Sequence, residues 1–146
     1  MSPTAELHEA REALRDARDL DEVERQVRPR TRAWRRLRRV RERIVGAPVR
    51  ISTAAKLLDL SVPTINQWAD EGILEEAGRS PRRVTLASVD RIGPIVSELK
   101  QLGRDQNLRD AVIAKLEDQG TLEDKRFLRS LEEMRRGELV DLTPPA

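Results

Sequence analysis

The 146-residue chain has no cysteine and a single histidine, His8. Disulfides and thiolate metal sites are therefore excluded, as is any site built from clustered histidines. Aromatic residues make up only 2% of the chain, which argues against recognition of single strands by stacked bases. No apolar run approaches the roughly 20 residues needed to span a bilayer. The opening MSPTAELHEA is acidic and helix-like, unlike a signal peptide, so a cytoplasmic protein without a membrane span is expected. The sequence also lacks a phosphate-binding loop, a nucleotide fingerprint, a Ser-His-Asp set and metal-ligand spacing. The carboxylate pairs Glu75-Glu76 and Glu132-Glu133 are adjacent in sequence and do not converge. Neither an enzyme nor a cofactor is expected.

What is abundant is charge, at 37% against 38% hydrophobic residues. A compact globule usually has about a quarter of its residues charged. Long helices with thin apolar stripes fit better, and such stripes often need a partner to cover them. The net charge of +2 conceals a segregation. Residues 1–27 carry −4, residues 28–43 carry +8, residues 44–96 balance, and residues 97–146 carry −2. Local charge of this kind says more about partners than the total does.

Leu7, Ala10, Leu14 and Ala17 predict a helix over 4–18. Asp19 or Asp21 is expected to cap a second helix over about 20–45, kinked or split at Pro29. On its projection Arg28, Arg32, Arg35, Arg36, Arg39 and Arg43 share one side, opposite Ala33, Trp34, Leu37, Val40 and Ile44. Three readings of that arginine stripe stay open. It contacts phosphates beside the central motif, pairs with acids of the first helix (Glu9, Glu12, Asp16, Glu24), or is simply solvated. Arginine binds phosphate through a planar fork and adds salt-dependent affinity without sequence choice.

After Gly46-Ala-Pro48, Val49–Ile51 reads as an extended lead-in. Ser52 or Thr53 is expected to cap a helix over Thr53–Asp59, and Ser61 a second over Val62–Glu71. Strands are expected at Ile73–Glu76 and Val84–Leu86, joined by a turn at Gly78–Pro81, and Ser88 is expected to cap the next helix. The apolar stripe Val89, Ile92, Val96, Leu99 continues past Gly93-Pro94, and further stripes follow at Leu108–Leu116 and Leu122–Met134. The expected organisation is an N-terminal helical arm (1–46), a central domain (47–93), C-terminal helices (94–138) and an extended tail (139–146).

The central stretch carries the chemistry. Ala54 and Ala55 are small enough for two helices to cross, and Leu57, Leu58, Leu60, Ile65 and Trp68 are spaced to lock them together. The second helix opens with short polar residues around Ser61, Pro63, Thr64, Asn66 and Gln67, where a recognition helix meets base edges. Asn and Gln match the N6/N7 edge of adenine, and Thr can touch a thymine methyl.

Thr53–Leu58, Leu60-Ser61, Thr64-Ile65, Trp68, Glu71–Leu74, Arg82–Val84 and Ser88–Asp90 together resemble the MerR/excisionase-type winged helix-turn-helix family, over about 45 residues. The resemblance implies an all-α fold with a small β-hairpin wing. It also implies sequence-specific binding of double-stranded DNA and transcription regulation. Ser61–Trp68 would enter the major groove, and a wing carrying Arg79, Ser80, Arg82 and Arg83 would lie along the backbone or in the minor groove. Asp59 stands where such turns often have Gly. Metal sensing is not implied without cysteines. A homodimer is expected, since one recognition helix reads only a few base pairs.

A second resemblance, over fewer than 20 residues at Lys125–Asp141, is to the tails of RelB-type antitoxins. It implies an alternative role, in which a C-terminal helix binds a toxin-like protein and DNA binding autoregulates the operon. RNA binding through the arginine stripe is a further alternative.

Overall fold

A computed structural model describes residues 2–104 and 106–120. The chain forms two compact units, Met1–Gly103 and Arg104–Ala146. The first is mostly helical with one small antiparallel sheet.

Helix α1 spans Pro3–Gln26. Ser2 caps it, its Oγ accepting from the Ala5 amide at 3.2 Å, and Pro3 fills the first helical position, where no amide is needed. Ala10 and Ala17 are buried, flanked by half-buried Leu7 and Leu14. The helix does not stop near residue 18, and neither Asp19 nor Asp21 caps anything. Asp21 is instead held by Arg41 (below), and nothing in the 19–21 stretch disfavours helix. The break comes at Pro29, which splits the segment. Helix α2 spans Arg32–Ile44, with Thr31 as its N-cap. Arg28 therefore lies in the connection and not on α2, and Ala33 is exposed and not on the packing side.

Strand β1, Pro48–Arg50, leads into α3, Ile51–Leu58. That helix begins earlier than expected, with no side-chain cap, and neither Ser52 nor Thr53 caps it. Thr53 is inside the helix and 2% exposed. Asp59 ends α3 in the left-handed region, φ 54° and ψ 49°, so it does take the conformation that glycine adopts most cheaply. The Leu60 amide then bonds back to the Ala55 carbonyl at 2.9 Å. Helix α4 follows at once, Val62–Asp70, capped by Ser61 as expected.

The strands are displaced from the expected positions. β2 is Glu76–Arg79 and β3 is Arg82–Thr85. Ile73 and Leu74 are buried, but in the connection, with both amides bonded to the Trp68 carbonyl. Strand order is β1-β3-β2, all antiparallel, with a register irregularity between Glu76 and Gly78. The hairpin turn contains a cis Ser80–Pro81 bond. Helix α5, Leu86–Gln101, is capped by Thr85 and not by Ser88, and it runs unbroken through Pro94.

The core gathers Ala54, Leu58, Ile65, Trp68, Leu74, Val84 and the α5 stripe of Val89, Ile92, Val96 and Leu99, all at most 5% exposed. Each large side chain of this set contributes about 1.5–3 kcal/mol by leaving water. Trp68 thus fixes α4 from its inner side, which determines what its outer side presents. Three half-buried carboxylates, Glu6, Asp21 and Asp90, take part in joining the N-terminal helices to this core. Glu6 accepts from the Arg50 amide at 2.7 Å and meets Arg50 Nε at 3.3 Å. Arg41 sits between Asp21 at 2.6 Å and Asp90 at 2.5 Å.

In the second unit a helix covers residues 108–120. The expected apolar stripe at Leu122–Met134, the RelB-like segment Lys125–Asp141 and the tail lie outside the described residues. Among the described residues no helix is long and apolar enough to cross a membrane.

Candidate nucleic-acid interface

Helix α4 has two unlike sides. Ile65, Trp68 and Ala69 are buried. At about 100° per residue, Pro63, Asn66, Gln67 and Asp70 point the other way. Pro63, Gln67 and Asp70 are exposed and Asn66 is half-buried. The first turn adds exposed Ser61 and Val62, the latter 44% exposed. Thr64 sits on the flank, half-buried, with its hydroxyl 2.7 Å from Ser61 Oγ. Ser61 Oγ also accepts from the Thr64 amide at 3.3 Å. The expected contact residues thus come together at one helix end. Thr64 is the exception in orientation, its hydroxyl engaged by the cap.

The hairpin lies alongside this helix because of Arg82. Its Nη1 donates to Asn66 Oδ1 and to the Asn66 carbonyl, each at 3.4 Å. Its Nη2 donates to Asp70 Oδ1 at 2.7 Å. Its Nε is buried without a hydrogen bond, facing Glu76 Oε1 at 3.5 Å. With its side chain 24% exposed, Arg82 is a strut between hairpin and helix more than a free cation. It also neutralises Asp70, an acid that would otherwise repel phosphate from the outward side of α4.

The four hairpin residues singled out in the sequence do not act together. Arg79 is 88% exposed and 3.4 Å from Glu76, and Ser80 is exposed beside it. Arg83 turns to the opposite side of the sheet from Arg82, as neighbours on a strand must. There it borders a groove of about 540 Å³ with Glu6, Glu9, Ile44 and Leu86.

Of the arginine stripe, Arg32, Arg35, Arg36, Arg39 and Arg43 are exposed along α2, and Arg28 is exposed before it. The acids that sequence reading offered as partners are mostly engaged elsewhere or not at all. Glu12 meets His8 at 3.2 Å. Glu24 approaches Arg38, at 4.0 Å. Sequence reading missed Arg41, whose partners lie 20 and 49 residues away. Its guanidinium is held even more firmly protonated than usual, chiefly by the hydrogen bond to Asp21 and then by the charge of Asp90, against the opposing effect of burial. Asp70 and Glu76, the partners of Arg82, were missed as well. No local pattern marks a pair formed between elements.

No protein-family model, curated protein or solved structure matches the chain.

Proposed function

We propose that residues 47–93 form a winged helix-turn-helix that binds double-stranded DNA in a sequence-specific manner and regulates transcription. Helix α4 enters the major groove, and the β2–β3 hairpin lies along the adjacent backbone. One observation carries this reading. The outward side of α4 presents the side-chain amides of Asn66 and Gln67 beside the Pro63 ring, held rigid from behind by Ile65 and Trp68. Side chains on a rigid element within reach of base edges are what direct readout requires. The sharp Asp59–Ser61 connection between α3 and α4 and the hairpin beside α4 agree with the MerR/excisionase-type resemblance.

In the chain without DNA the Asn66 amide oxygen accepts from Arg82, which leaves the amide nitrogen as the free end. Asn66 therefore presents a donor, suited to N7 or O6 of a purine or O4 of thymine. Gln67, whose Nε2 donates to Glu71 Oε1 at 3.3 Å, keeps its oxygen available as an acceptor. The protein works as a homodimer on two half-sites about one helical turn apart.

Competition between duplex DNA and structured RNA tests this reading. Duplex DNA is expected to win, and Asn66→Ala to weaken it. RNA winning with Asn66→Ala without effect would refute it. The antitoxin alternative draws on residues 125–141, outside the described residues, and no observation favours it.

A further inference from the structure

The outward face of α2 is a dense run of unpaired positive charge. Arg32, Arg35, Arg36, Arg39 and Arg43 are all exposed, and none makes an ion pair with a described residue. The arginines on the other sides of the helix are the ones that pair, Arg38 with Glu24 and Arg41 with Asp21 and Asp90. Glu42, on one flank, is the only acid of α2. Like charges three and four residues apart oppose helix formation, so this face weakens α2 without contributing to packing. No apolar side chain interrupts the five arginines. A protein-binding surface has the opposite character, with aromatic and apolar residues at its centre and charge depleted there.

The spacing suits a phosphate backbone. Arg32 to Arg43 spans roughly 16 Å of helix axis, a length over which one DNA strand carries about five phosphates. The face also points away from the rest of the unit. Arg41, which reaches in to α1 and α5, lies roughly 180° around α2 from the centre of the five. The β sheet divides the two regions further, since Arg82 reaches α4 from one side and Arg83 borders the groove with Ile44 of α2 from the other.

We propose that this face is a second phosphate-binding surface, which grips the backbone of a duplex segment other than the one α4 reads. That the two duplex segments differ rests on α4 reading one of them; the binding of phosphate by α2 does not. One molecule then holds two stretches of duplex, one by sequence and one by charge.

The test uses the full chain and the variants R32E/R35E/R39E and N66A/Q67A, with folding checked by circular dichroism. R32Q/R35Q/R39Q serves if charge reversal disturbs α2. On a duplex of unselected sequence, loss of the three arginines is expected to reduce affinity at least tenfold and to lower the log–log salt slope by about 2–3. In N66A/Q67A the salt slope is expected to persist, because neither side chain carries charge. Protein held on an immobilised selected-site duplex is expected to capture a labelled duplex lacking that site. The arginine variant should lose this capture while still binding the first duplex.

Unchanged affinity and slope in the arginine variants would overturn the proposal. So would competition by polyglutamate as effective as that by duplex of equal charge. Parallel loss of selected-site affinity and slope in R32E/R35E/R39E would place the face on the same duplex as α4 and overturn the separate segment. If selection yields no site, the α4 reading fails, and the α2 face still stands or falls on the slope with unselected duplex.

Discussion

Arg82 in β3 and Asn66 in α4, 16 residues apart in sequence, are joined by two contacts of 3.4 Å, one to the Asn66 side-chain oxygen and one to its carbonyl. A hairpin arginine thereby orients an amide on the outward side of the helix. The consequence differs from that of an arginine resting on phosphate. Arg82→Ala is expected to free the Asn66 amide to rotate and to leave Asp70 unneutralised. Base preference at one position should broaden, at a cost of about 1–3 kcal/mol. Binding-site selection with the variant, beside titration of the wild-type site, checks this. A loss that is uniform across sequences, with the base preference at that position unchanged, would show that Arg82 does not orient Asn66.

Asn66→Ala and Gln67→Ala should each cost about 1–3 kcal/mol on the preferred site and relax one base position apiece. Gln67→Ala should leave thermal stability nearly unchanged, since that side chain is exposed, whereas Asn66→Ala, which removes one acceptor of Arg82, should lower it by about 0.5–1 kcal/mol. Affinity on site variants, paired with melting curves, separates the two effects.

Arg41→Ala should destabilise the fold without touching α4. It leaves Asp90, 10% exposed, without its partner, and also releases Asp21. Breaking a buried ion pair from one side costs about 3–5 kcal/mol, and the partial exposure of this cluster brings the expectation to about 2–3 kcal/mol. Urea unfolding measures it. A change below about 0.5 kcal/mol would show that the cluster is no more than a surface ion pair.

Asp59 adopts φ 54°, where a β-carbon costs about 1–2 kcal/mol and a short polar side chain is tolerated best. Asp59→Gly should therefore leave stability nearly unchanged. Asp59→Val should lower it by about 1–2 kcal/mol, because a branched side chain cannot relax there. The same denaturation experiment reads both. Lys100, which donates to the Asp59 carbonyl, keeps that contact in either variant.

Much of this fold was legible where a local pattern carries the physics. The α5 stripe of Val89, Ile92, Val96 and Leu99 emerges from spacing alone, and the Ser61 cap from residue type and position. The polar group on α4 followed from that cap together with Trp68. The rest was hidden for identifiable reasons. Ile73 and Leu74 read as strand because buried apolar residues in a connection look like strand residues, and only their bonds to the Trp68 carbonyl reveal the difference. The stripe continues past Gly93-Pro94 as expected, but the boundary expected between residues 93 and 94 falls inside α5, which has buried residues on both sides of it. The roles of Arg41 and Arg82 depend on partners brought close by the fold. Their neighbours in sequence say nothing of those partners.

Selection of binding sites from random duplex DNA tests the central claim most directly, with the wild-type chain and the Asn66→Ala and Gln67→Ala variants run side by side. Enrichment of a short, two-fold symmetric site is expected, with each variant losing preference at its own position in both halves. An unenriched pool, or an enriched site that both variants select unchanged, would contradict the placement of α4 in the major groove.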